Sequence, residues 1–387
     1  MKDFDAITIE QLRAVGGAKW GRFPEAIGAF IAEMDFGIAE PITAALHEAV
    51  EVGAFGYLSD GPVRAMGEAF AGFAEQAYGW QVDPGDVHAI PDVLSGLGAA
   101  IRFLTDPGTP VIVPTPAYMP FLQIPHVHQR PILQVPMIHD GHRYRYDLQG
   151  LDEAFAAGGQ LLVLCNPHNP VGRVLETGEM LEVAQVAQRH GGRVFADEIH
   201  APLVYGEHRH VPYASLNEVT AGHAITATST SKAWNLPGLK AAQLILSNDH
   251  DRQRWQTAGP IVSEGTANLG LVAAVAAYSH GRPWLAQVLD YLDGNRILLG
   301  DLVAEHLPGA RYQAPEGTYL AWLDLRQVGL SAPLGQFFRS EAGVIVTDGT
   351  LCGAGGEGFI RYNFATPRPI LTQGLAQMGA ALRAART

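Results

Sequence analysis

The sequence predicts an α/β fold built on a mainly parallel sheet flanked by helices, joined to a smaller α+β domain. Three observations predict it. Short, wholly apolar segments such as LLVLC at 161–165 read as strands buried on both faces. Helical stretches alternate with them between residues 88 and 248. Beyond residue 248 the pattern turns helix-rich, then mixed.

Residues 1–40 read as irregular, with a short apolar run at Ala29–Ala32. Ile42, Ala45, Leu46, Ala49 and Val50 fall at helical spacing, as do Val63, Met66, Phe70, Phe73 and Ala77. Strands are predicted at Pro110–Val113, Ile132–Met137, Leu161–Asn166, Arg193–Ile199, Ala224–Thr228 and Gln243–Leu246. Helices are predicted at Ser95–Thr105, Leu148–Ala157 and Glu179–His190. Residues 284–307 form a long helix stopped by Pro308-Gly309. Strands at Tyr319–Leu325, Val344–Val346 and Phe359–Phe364 precede a closing helix from about Ile370. The expected division is a large domain over 45–275 and a small one made of 1–44 and 276–387, because forty N-terminal residues cannot form a core alone.

The bulk numbers exclude several classes. A chain of 387 residues exceeds one compact core. A net charge of −13 argues against a general nucleic-acid partner, which needs a basic face for phosphates. No apolar run of about 18 residues occurs, so no membrane span is expected. The opening MKDFDAITIEQLRAVGG lacks the apolar core of a signal peptide. Cys165 and Cys352 are the only cysteines, which suits a reducing cytoplasm; Cys165, inside an apolar strand, reads as a small core residue.

Ligands of α/β sheets sit beyond the carboxyl ends of the strands. Asn169 (in CNPHNPVG), Asp197 (in GRVFADEIH) and Lys232 (in ITATSTSK) fall at three successive strand ends, so one pocket can collect all three. Each supplies what pyridoxal 5′-phosphate requires. A lysine amine condenses with its aldehyde and later removes the substrate Cα proton. A carboxylate keeps the ring nitrogen protonated, making the ring an electron sink. An amide donates a hydrogen bond to the ring oxygen.

The ordered set NPHNPVG, DEIH and STSKAWNLPGLK resembles fold-type I enzymes of the aminotransferase class I/II superfamily. AEMDFGIAEPI, FGYLSDGP, PTPAYMPF, DEIHAPLVYGEHRHVPYASL and PEGTYLAWLDLR resemble its cystathionine β-lyase (C–S lyase) group of the MalY/PatB type. The resemblance implies a mainly parallel seven-stranded sheet, an amino-acid substrate and a homodimer with shared active sites. It also implies site roles. Tyr118 stacks on the cofactor ring. Ser229, with Ser231 assisting, and Lys240 bind its phosphate together with the Val93 and Leu94 amides at a helix start. Asp92 stands there where relatives often carry Gly, and a carboxylate beside a phosphate requires its side chain to turn away, as a helix cap does. Tyr57 reaches into the neighbouring subunit's site, and Arg361 grips the substrate carboxylate. His200 either hydrogen-bonds near the cofactor or satisfies its loop. His208 and His210 read as a polar loop in preference to a metal site.

The implied reaction is β-elimination from cystathionine, cystine or another cysteine S-conjugate, giving a thiol, pyruvate and ammonia. Two alternatives use the same residues or the same fold: transamination with a 2-oxo acid, and a non-catalytic regulator that binds a protein partner.

Overall fold

The computed structural model describes residues 3–330 and 333–385. Seven strands form the main sheet: β1 (Val87–Ile90), β2 (Val111–Thr115), β3 (Ile132–Pro136), β4 (Leu161–Cys165), β5 (Arg193–Asp197), β6 (Ala224–Thr228) and β7 (Ala242–Leu246). Their spatial order is β1-β7-β6-β5-β4-β2-β3. β7 runs antiparallel to both neighbours, and the other pairs are parallel.

The alternation of side chains along each strand feeds two separate cores. In β4, Leu162 and Leu164 enter one cluster while Leu161, Val163 and Cys165 enter the other. In β5, Val194 and Ala196 lie on one face and Phe195 on the other. A strand covered on both faces has little room for charged residues until its end, although Thr226 and Gln243 are buried within β6 and β7.

β1 escapes the sequence reading. VHAI is four residues long, carries a histidine and follows a Pro-Gly-Asp turn, so neither an apolar run nor a clear alternation marks it. The helix after it begins at Val93, two residues before the predicted start, because Asp92 caps it. Gly96 lets that helix lie close on the sheet: a Cβ there would stand 2.8 Å from Ile90 Cδ1.

A four-stranded antiparallel sheet combines Arg311–Tyr312, Leu320–Asp324, Phe359–Asn363 and Thr347–Asp348. The helices Arg282–His306 and Arg368–Ala384 pack on one another beside it. Among the described residues, no single helix is long and apolar enough to cross a membrane. Cys165 and Cys352 are buried and unpaired with each other.

The N-terminal forty residues depart from the irregular segment expected of them. Ile9–Val15 is a helix with a capping box made by Thr8 and Gln11. Ile27–Gly28 pairs in parallel with Val344–Ile345. From there the chain crosses as an extended strap, fastened by a buried ion pair in which Lys19 Nζ meets Asp35 Oδ2 at 2.8 Å. Trp20 Nε1 donates to the other Asp35 oxygen, also at 2.8 Å. Asn363 Nδ2 donates to the carbonyls of Ile31 and Glu33. Asp35→Ala strands the Lys19 ammonium in the interior, and we expect it to cost about 3–5 kcal/mol. Equilibrium unfolding in urea measures this; a loss below about 1 kcal/mol would show that the pair does not anchor the strap.

Candidate active site

The carboxyl ends of the parallel strands open into a cavity of about 190 Å³. Asp197 is the last residue of β5, Asn169 lies in the loop after β4, and Lys232 sits in the short helix Thr230–Ala233 after β6. All three line this cavity together with Tyr118, His200, Ser229, Ser231 and Lys240. Val93 and Leu94 line its other end, at the start of their helix.

Lys232 borders the cavity, and its Nζ donates to the Ala32 carbonyl on the strap at 2.9 Å. Desolvation, then the Arg361 charge, pull the Lys232 ammonium down to about 8, against Glu33 and Asp197. Burial pushes the Asp197 carboxyl up to about 7, opposed by the Ile199 amide that donates to it at 3.0 Å and by the Lys232 charge. A cation placed beside Asp197 would restore its ionised form.

Asn169 spends its carbonyl oxygen on Arg361, whose guanidinium donates at 3.0 Å. The NH₂ end of the amide is therefore the end left to donate elsewhere. Arg361 is buried in its strand, and also donates to the Phe30 carbonyl at 2.7 Å and to Thr347 Oγ1 at 3.2 Å. Its Nε is buried with no partner. Tyr118 projects into the cavity at the turn after β2, with its ring edge-on to Phe121.

Asp92 turns back as the sequence required: one carboxylate oxygen accepts from the Ser95 amide and the Ser95 hydroxyl, each at 2.8 Å. The other pairs with Lys240 at 3.0 Å. Lys240 thus meets Asp92 at the edge of the cavity it helps to line. Val93 and Leu94 line the cavity end, and their amides, in the first turn of a helix, have no acceptor within that helix. Ser229 donates to the Ala241 carbonyl at 2.8 Å and accepts from the Ser231 amide, so its hydroxyl shapes the turn as well as lining the cavity.

His200 is buried, its Nδ1 has no partner, and its ring meets Tyr319 edge-on. Burial holds its pKa well below the ordinary value, so the ring is neutral. His210 is buried against Glu198 at 3.1 Å while His208 is exposed, so the two are parted rather than brought to one centre. Tyr57 is 97% exposed and lies outside the cavity of its own chain.

The donor set fits pyridoxal 5′-phosphate: a loosely protonated amine for the aldehyde, a carboxyl for the ring nitrogen, an amide NH₂ for the ring oxygen, a flat aromatic wall and a helix start for the phosphate. Sequence reasoning missed the backbone of the strap, above all the Ala32 carbonyl that receives both Lys232 and, at 2.8 Å, Tyr319 Oη. AEMDF and PEGTY were the signals available, since both belonged to the resemblance without a role.

Residues 33–376 match the family model for aminotransferase class I and II. The chain belongs to this family. It is 39% identical to a cystathionine beta-lyase of Corynebacterium glutamicum, over 97% of this chain and 99% of that one. It is 33% identical to cystathionine beta-lyase PatB of Bacillus subtilis, over 96% and 98% of the two chains. The PLP-bound C-S lyase from Staphylococcus hominis superposes with a TM-score of 0.90 at 29% identity, covering 98% of this chain and 99% of that one.

Only an unprotonated amine adds to an aldehyde. The rate at which cofactor-free protein captures pyridoxal 5′-phosphate should therefore climb with pH and level off above about 8, followed by the visible absorbance of the product. A plateau only above about 10, the ordinary lysine range, would contradict the desolvated state of Lys232.

Proposed function

We propose that this protein is a pyridoxal 5′-phosphate-dependent C–S β-lyase that converts a cysteine S-conjugate, such as cystathionine or cystine, to a thiol, pyruvate and ammonia. The observation that carries the reading is the single cavity that Lys232, Asp197 and Asn169 line together. Identity of 39% to a cystathionine beta-lyase over nearly the whole chain supports the choice of reaction.

Bound, the cofactor supplies an electron sink for the pair left at the substrate Cα. Lys232 would hold the cofactor by its amine and would carry the substrate Cα proton on Nζ, a nitrogen that the Ala32 carbonyl seats. Asp197 would keep the ring nitrogen protonated, Asn169 would donate to the ring oxygen, and Tyr118 would cover the ring face. His200 stays neutral beside them and packs on Tyr319. The Val93 and Leu94 amides, Ser229 with Ser231 assisting, and Lys240 would hold the phosphate, Lys240 also neutralising Asp92. Arg361 receives the substrate carboxylate, its unpartnered Nε–H being a donor still to be used.

The active unit is a homodimer of cytoplasmic subunits, in which Tyr57 completes the partner's site. The exposure of Val52 and Phe55 beside Tyr57, 74% and 64%, supports an apolar surface meant to be covered. Residues 45–275 form the cofactor-binding domain, and 1–44 with 276–387 form the smaller one that brings Arg361.

Purified protein supplied with cystathionine should release pyruvate with no 2-oxo acid added, and Lys232→Ala should reduce turnover by at least about 10²–10⁴-fold. Absence of pyruvate across a panel of cysteine S-conjugates removes the lyase reading. Strict dependence on a 2-oxo acid assigns the protein to transamination.

A further inference from the structure

Glu316 lies in the PEGTY turn before strand Leu320–Asp324, outside the cavity lining. Its side chain is nonetheless only 12% exposed and is the centre of a charged network. Oε2 accepts from Arg173 Nε at 3.2 Å and from the Val174 amide at 2.9 Å. Oε1 accepts from Arg143 Nε at 3.1 Å. Arg173, 3% exposed, is further held by Glu179 at 2.6 Å.

The backbone repeats the connection. The amides of Glu316 and Gly317 both donate to the Gly172 carbonyl, at 2.8 and 3.0 Å. Gly172 has φ +74°, and a Cβ there would stand 2.3 Å from Pro315 Cβ, so this seat admits only glycine.

The loop clasped in this way is the one that carries Asn169. The His168 amide donates to the Arg173 carbonyl and the Gly172 amide to the His168 carbonyl, closing the loop on itself. Asn169 in turn holds Arg361, whose strand pairs with Leu320–Asp324 in the register Trp322↔Arg361. Glu316 therefore ties the loop after β4 to the strand pair that carries Arg361. Three N–H groups converge on its carboxylate, and an amide in its place would turn one donor against another.

We infer that Glu316 is a positioning residue: it fixes Asn169 and Arg361 relative to one another, and so sets the distance between the cofactor ring and the substrate carboxylate. The inference rests on the roles proposed above for those two residues. Misplacement of a grip by ~1 Å costs on the order of a hundredfold in rate.

The test is Glu316→Gln in the holoenzyme, with wild-type and Lys232→Ala proteins alongside. In the folded variant, KM for cystathionine should rise about tenfold while kcat falls less. The pH midpoint of the bound cofactor's visible band should move upward, because the Asn169 donor to the ring oxygen is displaced. A residue that only stabilised the fold would lower the unfolding temperature and leave both readouts unchanged; that result in a folded Glu316→Gln overturns the inference. Should this variant not fold, Arg143→Gln takes its place, since Arg143 is 25% exposed and removes one arm of the clasp. It should shift both readouts in the same direction, and unchanged KM and midpoint overturn the inference. Loss of the pH-dependent band from wild-type protein would instead strike at the proposed cofactor, and is read separately.

Discussion

Desolvation of one amine is the constraint around which this structure is arranged. Lysine in water keeps its proton near neutral pH and is a poor nucleophile. Enclosure beside Arg361 loosens that proton, while Asp197 and Glu33 keep the charge from becoming prohibitive. Each of these groups comes from a different part of the chain. The sheet supplies Lys232 and Asp197, the second sheet supplies Arg361, and the N-terminal strap supplies Glu33 and the Ala32 carbonyl. The amine's chemistry thus requires the parts to be assembled, not merely folded.

Much of the sheet was legible because burial on both faces leaves a simple trace. LLVLC and AITAT have one reading as wholly buried strands, and both lie within a residue of their predicted limits. Where that trace fails, so does the reading: VHAI is short and interrupted by a histidine, although it closes one edge of the sheet. The N-terminal helix at Ile9–Val15 has a single buried residue, Leu12, too little to show a period.

The site was legible for a different reason. A strand buried on both faces places charged groups most readily at its end, so Asn169, Asp197 and Lys232 announced a common cavity by position. Backbone contributions leave no such mark. The Ala32 carbonyl and the Val93 and Leu94 amides exist whatever side chains those residues bear, and only folding shows where they point. Ion partners are equally silent: nothing in the spacing of Asp92 and Lys240, or of Arg173 and Glu316, reveals that they meet.

The two cysteines acquire a meaning from where they lie. Burial carries the Cys165 thiol well above its usual range and the Cys352 thiol to about 11, so neither offers a thiolate at neutral pH. Buried in this way, neither sulfur is open to a disulfide in the surrounding solution, and thiol–disulfide exchange can proceed around the protein without drawing it into a mixed disulfide.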